Sequence, residues 1–298
     1  IQNSLQKSKG NQRLGITAYL TGDAVKNQIN QVVGGKNGQR FISAIVSAVN
    51  TNPTLQECTN QSILSGALLG ESLKLSPSPQ LGHYYLVPFN DKNKGKVAQF
   101  QMGYKGYIQL AIRSGQYKKI NVIAVKEGEL EYFDPLNEEI KINMMIDKWD
   151  EREAAPTIGY YAMFELVNGF RKAIYWSKAQ MEAHALKYSP GYKKDRRDGS
   201  NHTFWSKDFD GMAYKTMLRQ LISKWGIMSI DMQSAIDADM AVINEDGSKD
   251  YVDNDDSIID AEPPQSEEPQ PEPRQEAEKK PETTQQPTDA QMALFGNK

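Results

Sequence analysis

LGHYYLVPFNDKNKGKVAQFQMGYKGYIQLAIRSGQYKK, residues 81–119, changes its apolar period once, and that change decides the fold class. Tyr84-Tyr85-Leu86-Val87 is a short aromatic and β-branched run, Asn90 to Gly95 is a turn cluster, and Val97 to Met102 is a second run. Two such runs about a turn predict a β-hairpin. From Tyr104 to Ser114 the period becomes helical, with Tyr104, Tyr107, Ile108, Ala111 and Ile112 on one face. Lys105, Gln109 and Arg113 fall at i, i+4 and i+8, a polar stripe on the opposite side. Gly115 suits the C′ position, and Lys118 and Lys119 follow as a basic exit. A sheet edge, a helix with a basic stripe and a basic exit in one unit make a cradle for a phosphate chain.

Toward the N-terminus, residues 1–13 are polar and 14–33 are weakly helical around Leu14, Ala18, Val25, Ile29 and Val32. Gly34-Gly35-Lys36-Asn37-Gly38 reads as an interhelical turn. It is no nucleotide loop, because Asn30 stands where a P-loop needs its first Gly and Asn37 where it needs Ser or Thr. Phe41, Ile42, Ile45, Val46 and Val49 predict an amphipathic helix that Pro53 stops. Asn60 can cap a third helix that buries Ile63, Leu64, Ala67 and Leu68, with Leu75 beyond. The apolar faces of these helices fit an internal core or a neighbouring subunit.

Toward the C-terminus, residues 121–126, 129–133 and 138–143 predict three short strands edged by Glu127, Glu129, Glu131, Asp134, Glu138 and Glu139. Asp134, Glu139 and Lys141 mimic a metal nuclease signature, yet the spacing leaves room only for a tight, solvated hairpin. Residues 157–167 and 170–176 flank Asn168-Gly169, a strong hairpin signal, and Ser177 can cap a helix to about Lys187. KYSPGYKKDRRDGSNHTFW, residues 187–205, reads as a loop in which Lys187, Lys193, Lys194, Arg196 and Arg197 are interleaved with Tyr188 and Tyr192. Basic and aromatic side chains together suit a single strand, where phosphates pair and bases stack. Residues 209–225 predict a long helix that buries Phe209, Met212, Ala213, Met217 and Leu221, with Lys215 and Arg219 one turn apart on another face.

Across 298 residues the hydrophobic share is 39%, low for a wholly globular chain. No run approaches the length of a membrane span, and no secretory leader is read. Cys58 stands alone, which excludes an internal disulfide framework and suits a reducing cytoplasm. His83, His184 and His202 have no ligand partners at metal spacing, so no cofactor or metal is expected. Residues 236–298 hold 5 Lys/Arg against 17 Asp/Glu, a net of −12, and the rest holds 30 against 21, a net of +9. A basic body favours a polyanion, and an acidic tail can compete for the same surface. Beyond about Val242 the acidic, Pro- and Gln-rich composition predicts disorder, ending in Met292, Leu294 and Phe295, an apolar cluster suited to docking a protein partner.

LGHYYLVPF at 81–89, QMGYKGYIQLAIRSGQY at 101–117 and MAYKTMLRQL at 212–221 occur in order, and with them the chain resembles the RecT family of phage single-strand annealing proteins over about residues 40 to 235. The resemblance implies ATP-independent binding and annealing of single-stranded DNA, beside a 5′→3′ exonuclease and in rings or filaments of the chain. It implies an α+β core in which N-terminal helices accompany a central antiparallel sheet, akin to other ring-forming annealing proteins. By motif it carries over Gly103, Tyr104, Lys105, Gly106, Arg113, Lys215, Thr216 and Arg219, with Trp205 and Phe209 at aromatic positions. Tyr214 and Gln220 depart from the basic residues of some relatives.

The expected layout is a helical part at 1–76, an α+β DNA-binding core at 77–240 and an acidic tail at 241–298. The candidate DNA-binding set is Tyr104, Lys105, Tyr107, Arg113, Lys118, Lys119, Lys193, Lys194, Arg196, Arg197, Lys207, Lys215 and Arg219. No catalytic residue is expected. The tail's apolar cluster is expected to dock a protein partner, either the exonuclease or the host single-strand binding protein. A passive single-strand coating protein and, less favoured, a metal nuclease remain as alternatives.

Overall fold

The computed structural model describes residues 15–91 and 94–251. Four helices come first: α1 (Ile16–Thr21), α2 (Asp23–Val33), α3 (Gly35–Asn50) and α4 (Asn60–Ser72), with a 3-10 turn at Pro53–Glu57 before α4. The weakly helical stretch breaks at Gly22. Gly34 alone makes the next turn, at φ 82°, and Gly35 to Gly38 already belong to α3. The expected five-residue turn is therefore one residue long. Thr59 rather than Asn60 caps α4, its hydroxyl accepting from the Ser62 N–H at 3.4 Å. Leu20, Ile29, Phe41, Ile45, Val49, Ile63 and Leu64 join one core, so these apolar faces are used within the chain.

The hairpin forms as read: β1 (Tyr84–Asp91) pairs antiparallel with β2 (Gly95–Met102), Tyr84 opposite Met102. Helix α5 (Tyr104–Arg113) follows. Its buried face is Gly106, Tyr107, Leu110 and Ala111, while Ile112 is 56% exposed, so the helix is turned from the expected face. Strand β3 (Tyr117–Lys126) starts early, and Lys118 and Lys119 lie in a strand rather than a helix exit.

Next come β4 (Leu130–Asp134), β5 (Glu139–Ile142) and α6 (Trp149–Ala154). Glu129, expected at a solvated edge, is fully buried: its carboxylate takes Arg152 Nε at 2.7 Å and the backbone N–H groups of Lys126 and Met145. Burial opposes the charge, and these donors outweigh it and hold the carboxyl below its usual range. Then β6 (Thr157–Leu166) and β7 (Arg171–Ser177) flank the Asn168-Gly169 turn, and Ser177 with Gln180 forms a capping box for α7 (Lys178–Tyr188).

The basic segment is not a loop. It forms α8 (Pro190–Asp198) and α9 (Phe204–Lys207). Ser189 caps α8, Pro190 occupies its first turn and Gly199 closes it in the left-handed conformation. Helix α10 (Phe209–Trp225) matches the expected span, and α11 (Ile230–Ala238), β8 (Ala241–Ile243) and β9 (Lys249–Tyr251) follow.

These strands make three antiparallel sheets, ordered β1-β2-β8-β9, β3-β6-β7 and β4-β5. Helix α4 lies on β2 and β8, and α10 lies on α5, β3 and β6. Residues 241–251 thus belong to the folded body and not to the tail. Ala241, Val242 and Ile243 are all buried beside β2.

Candidate nucleic-acid interface

The N-terminus of α5 is set down on the chain at Gly82-His83. The Gly103 N–H donates to the His83 carbonyl at 2.9 Å. A Cβ at Gly103 would run into the Gly82 carbonyl, and one at Gly106 into the His83 carbonyl. Absence of both side chains permits this approach. It leaves Lys105 exposed and Tyr104 half-buried at the rim.

His83 Nδ1 accepts from the Ser76 N–H at 3.2 Å, so the ring is committed to structure. Burial first, then the charges of Arg113 and Lys105, push its pKa below the usual histidine value. The ring stays neutral at pH 7, between two cations. Arg113 is not free: its guanidinium donates to the carbonyls of Leu73 at 2.5 Å and Lys74 at 3.2 Å. Those carbonyls end α4, where the helix dipole is negative, so Arg113 caps α4 from the far side.

An aromatic path crosses the rim. Tyr85 of β1 meets Phe204 of α9 at 5.6 Å between ring centres, and Tyr104 meets Tyr214 of α10 edge-on at 5.5 Å. Phe204 is 39% exposed, and Lys207 is exposed on the same short helix. Asp195 holds this region in place. Its carboxylate takes the hydroxyls of Ser200, Thr203 and Ser206 and the N–H groups of His202 and Thr203, all within 3.0 Å. The Ser206 hydroxyl above all, then the other donors, hold its pKa far below the usual carboxylate range. From α8, Lys193 and Lys194 stand exposed, Arg196 reaches Glu182 at 3.3 Å and Arg197 reaches Asp198 at 2.8 Å. Exposed pairs of this kind are weak and open to exchange for phosphate.

Lys215 and Tyr107 go inward instead. The Lys215 ammonium sits 2.8 Å from Asp239 Oδ1 and is 7% exposed. Asp239 also accepts from the Met102 N–H at 2.9 Å and the Tyr107 hydroxyl at 3.1 Å. Burial pulls the Lys215 pKa down against the opposing pull of Asp239. In this conformation both residues are engaged inside the protein. Arg219, one turn on, is exposed. Lys118 and Lys119 share one carboxylate, Glu165, at 2.6 and 3.4 Å. They follow the opposite end of α5 from Lys105, about 15 Å along a ten-residue helix.

The structure therefore brings Tyr104 and Lys105 together with Tyr85, and Tyr85 meets Phe204 of α9, the short helix that also carries exposed Lys207. Tyr85 and Phe204 escaped the sequence reading. Tyr85 alternates with buried Tyr84 and so faces the other side of its strand, a signal that was available. Asp134 stands opposite Glu139 across the β4–β5 hairpin, with Lys141 two residues further along β5. Asp134 accepts from the N–H groups of Leu136 and Asn137 in the hairpin turn, and Lys141 pairs with Glu131 at 2.5 Å. Met292, Leu294 and Phe295 lie outside the described residues.

A basic and aromatic rim on an α+β body is a surface suited to a polyanion, and the comparisons say which family the chain belongs to. The family model for the RecT family matches residues 39–257, and the chain belongs to that family. The match runs past the expected limit near 235 and takes in β8 and β9. Membership gives the chain a role in single-strand annealing during recombination. Uncharacterized protein YqaK of Bacillus subtilis (strain 168) is 41% identical over 278 residues, covering 90% of this chain and 88% of its own. Protein RecT of Escherichia coli (strain K12) is 28% identical over 246 residues, covering 79% of this chain and 86% of its own. Among the described residues no helix is long and apolar enough to cross a membrane.

Proposed function

We propose that this chain binds single-stranded DNA along the α5–α9 rim and pairs complementary strands without hydrolysing a nucleotide. The observation that carries the reading is exposed Lys105 beside the rings of Tyr85 and Tyr104, with Phe204 against Tyr85 and exposed Lys207 on the same short helix, in a RecT-family chain. Lysines neutralise the backbone and release counterions, while ring faces hold bases without reading their sequence. Lys193, Lys194, Arg197 and Arg219 extend the positive surface. Pairing free energy drives the reaction, so the protein acts as an annealing factor and not as an enzyme. The reading includes self-assembly on DNA, work beside a phage 5′→3′ exonuclease and the host single-strand binding protein, and a place in the bacterial cytoplasm.

Two complementary labelled oligonucleotides mixed with the purified protein test it. Duplex should form faster with protein than without, in the absence of ATP and in EDTA. A strict requirement for ATP hydrolysis refutes the reading. Slower pairing assigns the chain to passive strand coating, and release of nucleotides with Mg²⁺ assigns it to nuclease chemistry.

A further inference from the structure

The β4–β5 hairpin stands as its own two-stranded sheet. An isolated hairpin is marginal in water, so something must hold it. Within the chain, Phe133 meets Tyr175 of β7 edge-on at 5.1 Å, Glu138 pairs with Lys172, and the buried Glu129–Arg152 pair anchors its base. The arm is therefore held in one pose while its apolar residues face water: Leu136 at the tip is 91% exposed and Tyr132 49%, and Ile146, past the end of β5, is 68% exposed. Residues 127–153 carry ten Asp/Glu against three Lys/Arg, an acidic run in an otherwise basic body. Solvated charge alone would not require exposed Leu and Tyr among the carboxylates, and exposed apolar side chains on an ordered arm suit a contact surface.

A surface of opposite character lies on the same chain. Strand β3 is an outer strand of its sheet. Along it runs a groove of about 490 Å³ lined by Ile112, Ile120 and Met163 and flanked by Lys118 and Lys119. Ile112 is the residue that α5 was expected to bury and does not. The two lysines share the single carboxylate of Glu165, so one positive charge stays uncompensated at the strand edge. Lysine on an outer strand discourages indiscriminate pairing and admits an acidic partner.

We propose that the acidic, apolar arm of one copy seats in the basic, apolar groove along β3 of a second copy. Arm and groove are different surfaces, so the contact is head-to-tail: each copy offers a free arm at one side and a free groove at the other, and assembly propagates into a ring or filament. Tilting of the charge pattern toward attraction sets the register, and the apolar residues supply the burial. The contact leaves the α5–α9 rim open, because the groove adjoins the far end of α5. This deepens the self-assembly part of the proposed function.

Two surface variants of the full chain test it, Leu136→Asp in the arm and Ile112→Asp in the groove. Both positions are exposed, and circular dichroism and melting should match the wild type. By sedimentation each variant alone should lose the wild-type assembly and run as a monomer. Mixed one to one, the intact arm of Ile112→Asp meets the intact groove of Leu136→Asp, and a dimer should form that grows no further. A wild type that itself runs as a monomer both alone and with single-stranded DNA, wild-type assembly in either variant under the condition in which the wild type assembles, or a mixture that stays monomeric there, overturns the contact. Annealing by the wild type, measured on the same samples, separates this outcome from failure of the proposed function: a wild type that assembles without annealing refutes the latter alone.

Discussion

Asp239→Asn should destabilise the protein severely, because it leaves the Lys215 ammonium buried without its counter-charge. Asp239 and Lys215 are both buried, 2.8 Å apart, and the carboxylate also serves Met102 and Tyr107. Breaking one side of a buried ion pair costs about 3–5 kcal/mol. The amide keeps an acceptor for the Met102 N–H, so the loss is chiefly that of charge. For a folded body of this size, each kcal/mol lowers the midpoint by about 2–4 °C, so a fall on the order of 10 °C is expected. Thermal melts by circular dichroism, with urea midpoints as a check, read it. Lys215→Met placed on top of Asp239→Asn should recover most of the loss, since it removes the orphaned charge. If Lys215 instead serves a DNA phosphate directly, Asp239→Asn frees it: single-strand affinity rises and the melt scarcely moves. That result would refute the assignment of Lys215 to the interior.

Lys105→Ala should leave the melt unchanged, since the side chain is exposed, and weaken all single-stranded sequences alike. One lost phosphate contact flattens the slope of log K against log salt by about 0.7, so a wild-type slope in the folded variant removes Lys105 from the rim. Truncation after residue 240 strips away buried Ala241, Val242 and Ile243 and should abolish cooperative melting. Truncation after 257, where the family match ends, should preserve it, and equal behaviour of the two proteins contradicts the placing of β8 in the sheet. Asp195 has its native pKa depressed by its donors, so its stabilisation is present above the unfolded value of about 3.9 and is lost as pH falls through the native one. The melting difference between wild type and Asp195→Asn should then be constant near neutrality and shrink below about pH 4, and a gap that persists in stronger acid shows that the charge is not what stabilises.

Local signals in the sequence were enough for the β1–β2 hairpin, for α5 and α10, for the Asn168-Gly169 turn and for the Ser177 cap. Each is written within a few residues, by a period, a turn dipeptide or a capping side chain, and needs no distant partner to be read. The family blocks belong to the same level, since they sit on those elements. Depth, by contrast, came only with tertiary structure. Lys105 and Lys215 look alike on paper, each a lysine on the polar side of a helix. Lys215 is buried because Asp239 arrives from 24 residues further on, and Lys105 is exposed because no described residue covers it. Ile112 and Leu110 exchanged roles because the angle at which α5 meets α10 and α11 sets its buried face, not its own period. Strand β8 was hidden because three apolar residues make a strand only when an outer strand waits to pair with them. That strand, β2, is some 140 residues earlier in the chain, a separation that no local period spans.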